Sequence, residues 1–335
     1  MIKKIISEIE IKLGKEEEKL LAKRAGWAVK AIRAILKKRK IDAEVFIGGS
    51  LAKGTLLQSG LYDVDIFIRF NPKYKELSNI LEKIIKEFSK KEGINFERAH
   101  GSRDYFRAIL EKEKMIYEII PVLRIKKAKD AVNVTDASYF HVNYVRKNLK
   151  DNMKEQVMLA KQFCKAQKVY GAESYINGFS GYSLECLIIH YKSFEKMLKN
   201  LVNLDEKIVI DPAKHYKNKT DVFYELNESK LKSPIVLIDP TWKERNILAA
   251  LSYETFERFK AAAQAFLKAP SKKFFEIRES DFSKMRDFAE KRNAEFVHIK
   301  LFTDRQAGDI AGTKMKKGAS FLINEIGKYF EVLSK

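Results

Sequence analysis

Cysteine is nearly absent from this chain. Its 335 residues hold two, Cys164 and Cys186, too few for a disulfide framework, and both lie among apolar residues in helix-like stretches, which fits a reducing, cytoplasmic setting. Long apolar runs are missing as well: no segment approaches the roughly 20 uncharged residues that span a bilayer. The first residues, MIKKIISEIEIKLGKEEEKLL, carry charges throughout and offer neither a secretory core nor a small-residue cleavage site. No basic amphipathic helix with a Trp or Phe face speaks for a membrane surface. Internal repeats and low-complexity tracts are also lacking.

Acidic charge is in deficit. The 65 Lys and Arg outnumber 45 Asp and Glu, leaving a net charge of +20, while 45% of residues are hydrophobic. A globular chain of this length divides into two or three domains at about 150 residues each. Excess positive charge raises the local concentration of polyanions, so nucleic acids and nucleotides lead the partner classes; a Lys-rich surface that serves only solubility is the alternative.

Between Glu16 and Arg39, Leu20, Leu21, Ala25, Val29, Ile32, Ile35 and Leu36 recur at helical spacing. A strand-like run follows, Val45-Phe46-Ile47, broken by Gly48-Gly49-Ser50. Val64 to Phe70 reads as a strand, 74–92 as a helix, and 106–110 with 115–122 as two strands across a charged turn. After about Asp136 helical patterns dominate, over 139–168, 179–204 and 253–268. The last stretch alternates short strand-like runs, such as 295–302, with a closing helix over 319–333. The expected fold class is α+β, divided into residues 1–133, 134–270 and 271–335: a mixed sheet with helices, a helical central part and a small α+β body.

One segment carries chemistry. Gly48-Gly49-Ser50-Leu51-Ala52-Lys53-Gly54-Thr55 is followed closely by Asp63-Val64-Asp65 at the head of a strand. Carboxylates two residues apart on a strand share a face and can reach the same divalent cations. Mg²⁺, a hard ion, takes few protein carboxylates and completes its shell with phosphate and water. The glycine-rich turn, the Ser50 hydroxyl and the Lys53 ammonium could hold a triphosphate beside it. A third carboxylate is wanted, and Glu118 inside a strand-like run qualifies, unless it lies on an edge strand facing water. No Gly-Lys-Ser/Thr closes the loop, so it is not of the Walker type.

Gly49-Ser50 with Lys53-Gly54-Thr55 and Asp63-x-Asp65 resembles the signature of the polymerase β-like nucleotidyltransferases. Val169-Tyr170-Gly171-Ala172-Glu173, Gly178-Phe179-Ser180-Gly181-Tyr182-Ser183-Leu184-Glu185, and Asp239-Pro240 leading to Arg245-Asn246-Ile247-Leu248-Ala249-Ala250 are similar to the archaeal, class I CCA-adding tRNA nucleotidyltransferases. The resemblance implies addition of C, C and A to the 3′ end of tRNA from CTP and ATP. It implies Asp63, Asp65 and Glu118 as metal carboxylates, and Gly49, Ser50 and Lys53 at the triphosphate. It also places His141 near the nucleotide, Lys161 and Tyr170 on phosphate and sugar, and Arg245 at the base edge. From the residues alone, Lys161 and Lys165 would put two cations on one helix face, a solvated face being the alternative. Tyr170 could stack on a sugar or base or fill a core. Arg245 could read a base or pair with Asp239 or Glu244. His141 has no neighbouring Cys or His for zinc, and His100, His190, His215 and His298 are expected to be structural or on the surface.

Three departures stand out. Lys53 occupies a position where the family more often has Arg, and the carboxylate lengths at Asp63 and Glu118 differ from close relatives. The family's elbow-gripping tail is expected to be absent or reduced. Other readings are a poly(A)- or oligoadenylate-forming transferase and an inactive RNA-binding relative; the oligomeric state, a homodimer included, stays open.

Overall fold

The computed structural model describes residues 2–278, 281–303 and 308–332. Helices α1 (Ile2–Ser7) and α2 (Lys15–Lys38) lead to β1 (Ala43–Ile47), the one-turn α3 (Gly49–Lys53), β2 (Tyr62–Phe70), α4 (Leu77–Glu92), β3 (Glu97–Ala99), β4 (Tyr105–Leu110) and β5 (Met115–Leu123). The five strands form one sheet in the order β1-β2-β5-β4-β3, with β2 and β5 parallel and the remaining pairs antiparallel. Alternation along β2 decides its two faces. Val64, Ile66, Ile68 and Phe70 are buried in one core with α2 and α4, which contribute Ala25, Ile32, Leu81, Ile84 and Phe88. Asp63 and Asp65 therefore point to the other side. Leu20, expected on the apolar stripe of α2, is 44% exposed.

A second core lies in α5 (Ser138–Asn148), α6 (Asp151–Ala166), α7 (Gly181–Tyr191), α8 (Phe194–Val202) and α11 (Tyr253–Lys268). Between α8 and α11 come β6 (Ile208–Ile210), α9 (Asp221–Glu225), α10 (Glu228–Leu231), β7 (Ile235–Asp239) and β8 (Trp242–Asn246), the strands forming a sheet in the order β6-β7-β8. Phe163 sits at the centre of an aromatic cluster with Phe194, Phe259, Phe266 and Phe275. Ile11 and Leu57 join this core, so the start of the chain packs on the helical part.

Two helices read as continuous from periodicity are each broken. The run 139–168 parts at Leu149, which is extended (φ −88°, ψ 102°) and buried, before α6 restarts with Asp151 in its first turn. The run 179–204 parts at Lys192, which is left-handed (φ 69°), and Ser193 then caps α8 by accepting from Lys196 N. Past 270, the short 3₁₀ turn Lys272–Phe275, α12 (Phe282–Glu290) and α13 (Gly308–Ile326) are helical. The run 295–302 pairs with no strand among the described residues, so its alternation finds no sheet. Helix α13 starts earlier than the expected 319, and Leu333 falls outside the described residues. Among the described residues no helix is long and apolar enough to cross a membrane.

Candidate active site

Parallel pairing of β2 with β5 sets Asp65 opposite Glu118, and antiparallel pairing of β5 with β4 sets Glu118 opposite Arg107. Asp65, Glu118 and Arg107 thus form a row across three strands, with Asp63 two residues along from Asp65. Strand β5 is interior, flanked by β2 and β4, so Glu118 is not an edge residue facing water. Its Oε1 lies 3.7 Å from Arg107 Nε, a nitrogen that is buried and has no hydrogen-bond partner. Tyr105, on the same face of β4, is pushed up first by burial and then by the charge of Glu118.

The turn after β1 closes against this row. Gly48 N donates to Asp65 O at 2.8 Å. A Cβ on Gly49 would stand 1.7 Å from Asp65 Oδ2, and Gly49 has φ +58°, so both space and backbone demand glycine here. Ser50 is half-buried in the first turn of α3, its carbonyl accepting Thr55 N at 3.0 Å.

Burial, then the neighbouring charge of Asp63, raises Asp65 to about 6, against the opposing pull of Lys53 and Lys161. Burial, then Asp65 and Asp63, raises Glu118 to about 7. Carboxylates lifted by confinement and mutual repulsion are what a divalent cation would discharge. The donor set is hard oxygen, as Mg²⁺ or Mn²⁺ requires. Among the described residues, however, no three His, Cys, Asp or Glu side chains converge on one point. The row fits ions that also take oxygens from substrate and water, and does not fit a closed protein cage.

Behind the turn lies a buried ionic cluster that sequence reasoning passed over. Glu185 of α7 has no exposed surface. Its Oε2 accepts Lys53 Nζ at 2.6 Å, and its Oε1 accepts Thr55 Oγ1 at 2.7 Å and Lys161 Nζ at 3.0 Å. Burial pushes Glu185 up, but Lys161 and Lys53 outweigh it and hold the carboxyl at about 2. Lys161 is 3% exposed and also donates to Thr55 Oγ1 at 2.9 Å and Thr55 O at 3.2 Å. All three ammonium protons therefore have acceptors, which corrects the expectation of a cation presented on an open helix face. Lys165, one turn further along α6, places Nζ 5.4 Å from the centre of the half-buried Tyr170 ring. Burial lowers Lys165, and the charge of Asp63 opposes that.

A second hub is Asp239 at the end of β7. Its Oδ2 accepts Arg245 Nη1 at 2.7 Å and meets His141 Nε2 at 3.0 Å, while Oδ1 accepts Tyr182 Oη at 3.1 Å and both Thr241 donors at 2.8 Å. Arg245 thus makes the ion pair that its sequence position allowed, through one terminal nitrogen of its fork. His141 is buried and stacked on Tyr182 with centroids 4.1 Å apart; burial lowers it despite Asp239. Sequence reasoning took His141 and Arg245 separately, and the structure joins them through Asp239. The six-residue offset of Asp239 and Arg245 across a hairpin was a readable signal, whereas the reach of Asp239 to α5 and α7 was not.

A mixed sheet carrying a carboxylate row beside a glycine turn, followed by a helical unit, defines a nucleotidyltransferase of the polymerase β-like class. Solved structures agree on the fold. A cytoplasmic RNA terminal U-transferase superposes with TM-score 0.59 at 14% identity, covering 83% of this chain and 98% of that one. CdnC of E. coli MS115-1 with ATP gives 0.56 at 17%, covering 82% and 94%. Sequence profiles for a nucleotidyltransferase domain and for the second domain of tRNA nucleotidyltransferase match residues 29–132 and 155–276. The CCA-adding enzyme of Nanoarchaeum equitans is 40% identical over 318 residues, 94% of this chain and 74% of that protein. That of Methanopyrus kandleri is 31% identical over 96% of this chain and 68% of its own length. That of Picrophilus torridus is 33% identical over 75% and 54%, so the match spans only about half of some relatives. The chain belongs to the CCA-adding enzyme family of tRNA nucleotidyltransferases.

Proposed function

We propose that the chain adds C, C and A to the 3′ end of tRNA from CTP and ATP, without a nucleic-acid template, releasing pyrophosphate at each step. The observation that carries this reading is the Asp63, Asp65 and Glu118 set on adjacent strands facing the Gly49-Ser50 turn, in a chain whose family is that of CCA-adding enzymes. Nucleotidyltransferases of this kind use divalent metals, and the ions proposed are two Mg²⁺, which Asp63, Asp65 and Glu118 would hold between them. When bound they would supply Lewis-acid activation of the RNA 3′-hydroxyl and neutralise charge on the triphosphate. Gly49 and Ser50 offer backbone and hydroxyl donors to that triphosphate, and Lys53 offers its ammonium. Tyr170 supports sugar and phosphate. His141 and Asp239 orient the Arg245 fork, whose remaining donors can meet both the C and the A edge. Lys161 is assigned to this pocket too, through its partners.

The division into residues 1–133, 134–270 and 271–335 places catalysis, nucleotide selection and RNA contact in that order, in a cytoplasmic setting. Purified protein tested with an acceptor minihelix that lacks CCA provides the check. Asp65→Ala is expected to lose nucleotide incorporation while keeping minihelix affinity within about twofold. Incorporation that survives the substitution would overturn the assignment.

A further inference from the structure

We infer that Glu185 is a positioning residue for the triphosphate pocket, acting through Lys53. The inference rests on the nucleotidyl-transfer reading above and adds one role to it. Glu185 lies 132 residues from Lys53 along the chain, on an element of the helical part, yet it takes the Lys53 ammonium at 2.6 Å. It is fully buried, and the Lys53 side chain is 10% exposed. A lysine head is a flexible point charge on a four-carbon stem, and holding it still costs rotamer entropy. The ion pair meets that cost before substrate arrives. Glu185 uses one Lys53 proton, so two remain to be offered to phosphate oxygens.

Lys161 completes the anchor. Its contacts to Thr55 O, Thr55 Oγ1 and Glu185 Oε1 use three donors on three acceptors at 3.2, 2.9 and 3.0 Å. Thr55 in turn donates to the same Glu185 oxygen at 2.7 Å. Two ammonium groups and one carboxylate therefore share a closed network that ties the end of the glycine turn to α6 and α7.

Equilibrium binding of CTP, with CMP as the control that lacks the outer phosphates, tests the inference as a double-mutant cycle. Lys53→Met and Glu185→Gln are each expected to weaken CTP about tenfold, the size of one charge-assisted contact. CMP affinity is expected to stay within about twofold, and the Lys53→Met/Glu185→Gln double variant should bind CTP no more weakly than Lys53→Met alone. Losses that multiply to about a hundredfold, an unchanged or tighter CTP affinity in Glu185→Gln, or an equal loss for CMP would each overturn it. Because Glu185→Gln leaves Lys161 as a buried cation with less compensation, the same cycle is run in a Lys161→Met background. There too the Lys53→Met and Glu185→Gln losses should fail to multiply; losses that multiply in that background would overturn the inference. A wild-type protein that bound neither CTP nor ATP would overturn nucleotidyl transfer and this inference together. A failed C, C, A product pattern with intact CTP binding would overturn the proposed function alone.

Discussion

At Asp65 and Glu118 confinement favours the protonated acid, whereas at Glu185 the two lysines favour the anion. The sign of each contribution to stability follows. A carboxyl raised on folding, to about 6 for Asp65 and about 7 for Glu118, binds more protons in the folded than in the unfolded chain. It therefore loses stability as pH rises through that window. Without divalent cation, the unfolding free energy of the wild type, read by denaturant titration, should fall relative to Asp65→Asn/Glu118→Gln between about pH 5 and pH 7.5, by an amount on the order of 2 kcal/mol per group. Saturating Mg²⁺ should shrink the difference; a difference that ignores both pH and Mg²⁺ would contradict the assignment. Glu185, held at about 2, behaves oppositely: its contribution is present above the ordinary carboxyl range and is lost as pH falls toward 2. Gly49 makes a steric prediction. Gly49→Ala sets a methyl 1.7 Å from Asp65 Oδ2, so Asp65 must move, and the single-turnover rate of nucleotide addition is expected to drop by about a hundredfold. These residues also show what a sequence can reveal. Asp63 and Asp65 were legible because strand periodicity puts alternate residues on one face. The role of Glu185 was not, because it arises only when α7 docks 130 residues away from Thr55.

Among the elements, the junction from β5 to α5 gathers on the Asp136 side chain. Asp136 has no exposed surface. Its Oδ1 accepts Arg103 Nη1 at 2.6 Å and Leu123 N at 2.8 Å, while its Oδ2 accepts Asn133 N at 3.0 Å. The approach to β4, the end of β5 and the turn into α5 are fastened at that one carboxylate. Asp136→Ala leaves Arg103 and two backbone amides without their partner and should cost about 3 kcal/mol in denaturant titration. A change below about 0.5 kcal/mol would show that the junction is held elsewhere. Helix existence was readable from spacing, and helix ends were not. Buried Leu149 and left-handed Lys192 break runs whose apolar pattern continues straight through. The run 295–302 alternates like a strand, but a strand needs a partner, and this run pairs with none among the described residues.

On the scale of the whole molecule, the net charge of +20 bears on how RNA reaches the carboxylate row. Contacts between Lys or Arg and phosphates release counterions, so minihelix affinity should fall at least about tenfold as monovalent salt rises from 50 to 200 mM. Such contacts set position and carry no sequence information. An affinity indifferent to salt would remove the charge excess from the account. The central claim joins reaction, nucleotide choice and termination, and one product ladder reads all three. A labelled acceptor minihelix ending at its discriminator base, given Mg²⁺, CTP and ATP, should gain three nucleotides in the order C, C, A and then stop, with CTP alone giving two. A long A tract, or no extension above that of the Asp65→Ala protein, would contradict it.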